Sequence, residues 1–360
     1  MLTYSGLIIN CCLHIEHQRT ENAIYHLLNG KRSIQTVQDA HLFGLDRFYG
    51  VLPSLTIDDF KYAVDQCVKQ GFLIRSIADD QTYIHTTSLG KHALHNNPFP
   101  YHYLNGLRYF DIDDIFLERL ILLVQVLTNS HMNNSSYIPV IDKPVITNWI
   151  KRVYPHFKPD VHTYLQQLYD DLYGLLSHLS EEEAHMFVDR LTGYEHYGLS
   201  THQLARKYHM KTDNIPLYLR AITHRLLTLI NTEEVETNIV VFITKDLPKL
   251  NFMTKSAQET YKLIQKQFQA EDIAHIRRLK LNTIYDHIVE IAWYDPNFHV
   301  HTYINQQQID RVKDVVKNTQ SLQLRTIKDH VGDQLTYFQI RLALTRINNV
   351  FTKGVLQYEQ

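Results

Sequence analysis

Arg277, Arg278 and Lys280 stand together within the stretch QAEDIAHIRRLKLNTIYDHIVEIAW, residues 269–293. Guanidinium and ammonium groups clustered this way suit phosphate, which they hold by charge-assisted hydrogen bonds and by releasing counterions. Such a cluster needs a scaffold that presents it at one point, and the apolar spacing supplies one. Ile273 and Ala274 predict a first short helix, and Ile284, Ile288 and Ile291 a second, with Arg277 to Lys280 as the turn. A helix-turn-helix needs these residue types at this spacing. Small Ala274 lets the helices approach, Leu279 and Ile284 fill the angle between them, and the start of the second helix is left to enter a groove. Arg278 stands where many such turns carry glycine.

The same spacing occurs in LSTHQLARKYHMKTDNIPLYLRAI, residues 199–222. Ala205 matches Ala274, Met210 matches Leu279, Lys211 matches Lys280, Ile215 matches Ile284 and Leu219 matches Ile288. Pro216 departs, lying about a turn into the second helix, where a proline removes a backbone bond. From Leu199 to Ile230 five Lys/Arg oppose one Asp, a local +4. Arg206, Lys207, Lys211 and Arg220 are therefore candidate phosphate contacts beside Arg277, Arg278 and Lys280. The other reading of this stretch is a helical scaffold with a solvated basic face. Just before it, Glu181-Glu182-Glu183 and Leu191-Thr192-Gly193 resemble the helix and turn that lead into the final region of bacterial sigma factors.

The whole chain, at 360 residues and a formal charge of -2, is long enough for two or three cores but not basic. A free-standing, non-specific DNA binder draws its affinity from phosphate neutralisation and is usually strongly basic. Any nucleic-acid contact here has to come from local patches. The sequence carries no GxxxxGK[ST], HExxH, GxSxG, paired CxxC or EF-hand loop, so no motor, hydrolase or metal site is predicted and no cofactor or small-molecule substrate is implied. His92 with His95, and His299 with His301, lack a clustered third ligand and read as ordinary imidazoles. Three cysteines, two of them adjacent (Cys11, Cys12), fit neither a disulfide framework nor zinc, and suit a reducing cytosol. The opening MLTYSGLIINCCLHIEH has no basic residue before its apolar run and is cut short by Glu16, so neither a signal peptide nor a membrane span is expected. A cytoplasmic protein is.

Taken in order, the chain predicts a mainly α-helical fold with several helix-turn-helix modules, the first carrying a β-wing. Residues 1–97 read as helices at about Arg19–Asn29, Ser33–Phe43 and Thr56–Gly71, then two short strands around Asp79-Asp80. That is a winged-helix pattern, but Asp58, Asp59 and Asp65 against Lys61 and Lys69 on its third helix favour a small α+β packing unit that never meets DNA. Residues 98–248 start after Asn96-Asn97-Pro98 with a nearly all-apolar helix, Ile115–Leu127. Short segments broken by Pro139, Pro144, Pro155 and Pro159 come next, then a long helix from Asp160 to Leu179 and the second helix-turn-helix. Glu233–Glu236 is an acidic break, and Leu247 to Thr254 a linker. Residues 249–360 open on Ser256-Ala257-Gln258-Glu259, a capping box, and close with helices at about Gln306–Lys317 and Tyr337–Asn348. Arg311 to Lys353 carries eight Lys/Arg and three Asp.

From about Thr254 to Val350 the chain resembles the helicase helix-turn-helix domain appended to RecQ-type helicases. The residues that carry the likeness are Ser256–Tyr261, Asp272-Ile273-Ala274, Arg278-Leu279-Lys280, Thr283-Ile284, His287–Glu290, Leu324–Lys328 and Arg341–Leu344. A domain of this kind on a chain without a motor resembles the YpbB family, helix-turn-helix proteins encoded next to a RecQ-type helicase gene. The resemblance implies a non-catalytic accessory protein for such a helicase, in DNA repair or recombination, nucleoid-associated when bound. It also implies groove-facing positions at Lys280, Asn282, Thr283, Tyr285 and Asp286, although Asp286 would repel phosphate. The expected partners are a RecQ-type helicase and, weakly, single- or double-stranded DNA. The competing class is a sequence-specific helix-turn-helix transcription regulator, which would normally dimerise to read two half-sites. Tyr101, Tyr103, Tyr194 and Tyr197 are candidate interface residues.

Overall fold

The computed structural model describes residues 3–78, 80–97, 99–232, 238–247 and 253–347. The acidic break at Glu233–Glu236, most of the stretch read as a linker, and Asp79, Pro98, Asn348 and Lys353 lie outside the described residues. The fold is mainly α-helical, with one two-stranded antiparallel sheet. It forms two compact units, residues 98–250 on one hand and residues 4–97 together with 251–360 on the other.

The first segment contains α1 (Thr3–Ile15), α2 (Glu21–Asn29), α3 (Ile34–Leu42), α4 (Ile57–Lys69), β1 (Leu73–Ala78), β2 (Gln81–Thr86) and α5 (Ser88–His95). The apolar run that reads as neither signal nor span is α1, which buries Leu7, Ile8, Ile9, Cys11 and Cys12 completely. Gly30 ends α2 at φ 77°, a left-handed cap that glycine adopts without a Cβ clash. Thr56 caps α4 by accepting from the Asp59 amide, and Phe60, Ala63, Val64 and Cys67 form its inner stripe. The hairpin pairs Leu73 with Thr86 through to Ala78 with Gln81. Arg75 ties it to the helices through Glu21, at 3.1 Å, and Asp65.

The middle unit runs α6 (Gly106–Tyr109), α7 (Asp113–His131), α8 (Pro144–Phe157), α9 (Val161–Leu176), α10 (Glu181–Asp189), α11 (Thr201–Lys207), α12 (Ile215–Asn231) and α13 (Val240–Thr244). Phe116, Leu120, Leu123 and Leu127 of α7 meet Trp149, Phe157, Leu168, Leu175, Leu226 and Leu229 in one core. The proline-marked segments turn out to include one 14-residue helix, α8. Pro144 sits in its first turn, where the missing N–H is no loss, and Pro155 comes close to its end. Short α13 is held at both ends. The buried Asp171 carboxylate accepts the amides of Asn238, Ile239 and Val240 at 2.9, 2.6 and 2.9 Å, the favoured sign at a helix N-terminus. Arg119 donates to the Ile243 carbonyl at 2.9 Å and to Asp246 at 2.6 Å, with its guanidinium 4.8 Å from the Trp149 ring centre.

The last segment holds α14 (Lys255–Gln265), α15 (Ala270–Arg277), α16 (Leu281–Tyr294), α17 (Gln306–Thr319), α18 (Leu324–Val331) and α19 (Tyr337–Leu344). Helices α14, α15 and α16 pack as one trio, α17, α18 and α19 as another, with α16 touching α19. The sequence pattern misses α18, whose apolar contribution rests on Ile327 and Val331. This segment shares its unit with the first. The His41 ring of α3 stacks on Trp293 of α16 at 4.8 Å and 13°, and the Leu322 amide donates to the Gln18 side chain at 2.7 Å.

Candidate nucleic-acid interface

The two turns are built by the same backbone device. Helix α15 ends with Arg278 in the left-handed region at φ 53°. The Leu279 amide then donates back to the Ala274 carbonyl at 3.0 Å, and the Arg278 amide to His275 at 3.2 Å. Helix α11 ends with His209, also at φ 53°, and the Met210 amide donates to Ala205 at 2.9 Å. This is the Schellman closure, which usually takes glycine because a Cβ is strained there. Lys280 and Lys211 then return to extended backbone, at φ -67° and -69°. Ile273, Ile284, Leu204 and Ile215 are fully buried in the angles so formed.

Pro216 proves compatible with this plan. A 3-10 turn, Thr212–Asn214, comes first, so Pro216 is the second residue of α12 and no helical bond to its nitrogen is lost.

The structure divides the candidate residues into two sets. Arg277 is 12% exposed and donates to the Ser256 carbonyl at 2.7 Å, to Thr260 Oγ1 at 2.5 Å and to Glu259 at 2.8 Å. It pins α15 to α14. Arg220, also 12% exposed, donates to Asp113 at 2.6 Å and Asp114 at 2.8 Å. Both guanidinium groups are covered and paired with carboxylates of their own unit. Lys207 is half exposed but pairs with Asp189 at 2.5 Å. Arg206, Lys211, Arg278, Lys280 and Asn282 are exposed. Thr283 and Tyr285 are only partly so, and Tyr285 stacks on Phe338 at 4.2 Å while Asp286 pairs with Arg341 at 2.6 Å.

Behind Arg220 lies a buried polar cluster that sequence spacing did not reveal. His224 is completely buried, its Nδ1 accepting the Asn105 amide at 2.9 Å while its Nε2 lies 3.1 Å from Asp113. An Nδ1 that accepts an N–H carries no proton, so Nε2–H donates to the carboxylate and the ring is neutral. Burial pushes the His224 pKa down, more than Asp113 pulls it up. Burial would raise Asp113, but its hydrogen bond to His224 and the Arg220 charge hold it below the ordinary value. These groups interlock α6, α7 and α12, with His224 and Asp113 withdrawn from solvent.

The second helices decide what the motifs can present. Helix α12 buries Ile215, Leu217, Tyr218, Leu219, Ala221 and Ile222, and its burial continues through Leu226, Leu227 and Leu229. It packs against α7, α9, α10 and α11, and the apolar residues on most sides of it were the available signal. Helix α16 buries Ile284 and every residue from His287 to Ala292. Its outward stripe passes from exposed Asn282 through stacked Tyr285 to fully buried Val289. Past the first helices, whose outer faces are exposed, the part of each motif left to solvent is its turn. In the winged segment, α4 exposes Asp58, Asp59, Lys61, Tyr62 and Lys69, a mixed face with acid at its leading end.

Among the described residues, no group of three or more His, Cys, Asp or Glu is placed to hold a metal ion. Nor is any helix among them long and apolar enough to cross a membrane.

Residues 256–344, which span α14 to α19, match a family model described as a helix-turn-helix domain. The chain is also 30% identical to Protein YpbB of Bacillus subtilis (strain 168), over 94% of this chain and 96% of that one. No solved structure matches the chain. The matched domain and the likeness to Protein YpbB point to a DNA-binding or accessory role.

Proposed function

We propose, from the premise that this chain belongs to the YpbB family, that it is a non-catalytic accessory protein that binds a RecQ-type DNA helicase. In that complex it adds weak, phosphate-driven contacts to single- or double-stranded DNA during repair or recombination, in the cytoplasm and on the nucleoid. The observation that carries this reading is the burial of the second helix in both motifs. A regulator that reads sequence lays that helix in the major groove, and its side chains reach base edges. Here Val289 is fully buried and Tyr285 is stacked, which leaves Lys211, Arg278 and Lys280 on the turns and Arg206 in the last turn of α11. Phosphate contacts of that kind position a protein without specifying a site.

Two further points support a helicase partner. The C-terminal segment resembles a domain that elsewhere is appended to such a motor. A net charge of -2 makes the chain a poor solitary DNA binder, and tethering to a protein that already grips DNA turns weak contacts into an effectively intramolecular step.

The test is direct. Purified chain and the RecQ-type helicase of the same organism should co-elute on size exclusion, and unwinding or DNA affinity should change on mixing. Separate elution at micromolar concentration with unchanged unwinding removes the proposal. A tight, sequence-selective footprint by the chain alone at physiological salt favours the regulator instead.

A further inference from the structure

We propose that the rigid turn after α10 is the surface by which this chain docks on its protein partner, with Tyr197 as the anchor and a basic, pocketed protein surface as the occupant. The inference rests on the accessory reading above and adds the site and the chemistry of the partner's face.

Of the four tyrosines that the sequence suggests for an interface, three are engaged within their own unit. Tyr101 packs on Phe99 at 4.6 Å, Tyr103 lies 5.9 Å beneath the Arg225 guanidinium, and Tyr194 is half-buried with its amide donating to Thr128 at 3.0 Å. Tyr197 is different: it is 83% exposed. Its backbone is nevertheless tightly held. Gly193 and His196 exchange both amide bonds, at 2.9 and 3.4 Å, and the Gly198 amide donates to Thr192 Oγ1 at 3.1 Å. The Leu199 amide reaches the Asp189 carbonyl at 2.7 Å, which joins the turn to the end of α10. Gly198 is required here, since a Cβ would come within 2.3 Å of the Arg190 carbonyl oxygen. Glu195 holds a left-handed φ of 53°, at a cost that a non-glycine residue meets only where surrounding structure imposes it.

So the turn orders backbone, strains one residue and returns no burial for its largest side chain. A fixed backbone that offers a free aromatic ring is what an interface anchor needs. Only two side-chain torsions are lost on docking, and the backbone is already placed. Val188, 46% exposed, extends the apolar surface from the end of α10.

Charge chooses the occupant. The exposed stripe of α10 carries Glu181, Glu182 and His185, and Glu195 is exposed on the turn itself. These carboxylates disfavour phosphate at the turn, where Lys207 of α11 is already paired with Asp189. They complement a protein face that sets basic residues around an apolar pocket, as a nucleic-acid-binding enzyme has.

The experiment measures binding of the full chain to the RecQ-type helicase by calorimetry, for the wild type, Tyr197→Ala and Glu181→Gln/Glu182→Gln. Because Tyr197 is exposed, Tyr197→Ala should melt like the wild type yet bind about tenfold or more weakly, as a central aromatic anchor does. The paired Glu→Gln variant should weaken binding at low salt and converge on the wild type at high salt. Wild-type affinity in Tyr197→Ala overturns the docking site while leaving the accessory role standing. Unaltered helicase binding with reduced DNA affinity for Tyr197→Ala also overturns it, in favour of nucleic acid. If the wild-type chain does not bind the helicase, the accessory reading falls and this inference with it.

Discussion

The chain contains two helix-turn-helix motifs that share a turn and differ in the helix beyond it. His209 and Arg278 both sit at φ 53°, and both turns bond back to a small residue, Ala205 or Ala274. Beyond that point the likeness ends. Helix α12 is the axis of its unit, locked by the Asp113–Arg220–His224 cluster. Helix α16 keeps an open first turn at Lys280 and Asn282, then disappears beneath α14, α19 and α3. A motif defined by its turn therefore fixes where a second helix begins, not which surface that helix will show.

That contrast can be probed separately in each unit, because the two tryptophans fall one in each: Trp149 in the middle unit and Trp293 in the other. The largest expected difference is between the two buried arginines. Arg220→Met strands Asp113, which is 5% exposed, and should cost the middle unit about 3–5 kcal/mol. Arg277→Met leaves behind a hydroxyl, a carbonyl and a glutamate that is 65% exposed, and should cost about 1–3 kcal/mol. Urea unfolding followed by Trp149 and by Trp293 fluorescence measures both; equal losses would contradict the distinction.

Acidification should separate the units next. His224 and Asp113 both have folded-state pKa values below their ordinary ones. Each therefore contributes stability at higher pH that is lost as pH falls, His224 from near its ordinary 6.5 downward and Asp113 below 3.8. In the other unit His287 is likewise depressed, by burial and then by Arg277. Glu290, however, is raised by burial, so it favours the folded state on acidification and offsets the loss. The Trp149 transition should shift to lower urea between pH 7 and pH 5 by more than the Trp293 transition, and His224→Gln should flatten that dependence. A larger shift at Trp293 would reverse the assignment.

Smaller effects are expected on the turns. Lys211→Ala and Lys280→Ala should each lower the salt slope of DNA binding by roughly 1, and Arg220→Met should leave it unaltered. Titration of a fluorescent duplex across salt concentrations checks this, and an unchanged slope in the double alanine variant places the DNA contact elsewhere. The smallest effect belongs to the left-handed residues. His209→Gly and Arg278→Gly should each stabilise their unit by less than about 1 kcal/mol, since relief of Cβ strain is partly cancelled by a freer unfolded chain. Thermal melts would show it, and a loss of stability in either variant would mean the side chain has a packing role that outweighs the strain.

Much of the local architecture is legible in the residues. Gly30, Thr56 and the stripe Phe60–Ala63–Val64–Cys67 predict their helices and caps, and Ala205, Met210 and Ile215 predict a second turn like the first. Helix α18 escapes because, although its eight residues are amphipathic, they make barely two turns of pattern and no side-chain cap marks where it begins. Helix α8 is misread because proline is counted as a breaker regardless of where in the helix it falls.

The turns are written in the residues themselves, since a Schellman closure depends on bonds between residues about five apart and on steric limits at one Cα. No local pattern could tell that Arg220 and Arg277 are withdrawn from solvent. Arg220 meets Asp113 from 107 residues away, and the Arg277 partners lie on a neighbouring helix. Nor could it show that α16 is covered by α3, which lies far earlier in the chain. Burial is a property of what packs on a surface, and those surfaces meet only once the chain has folded.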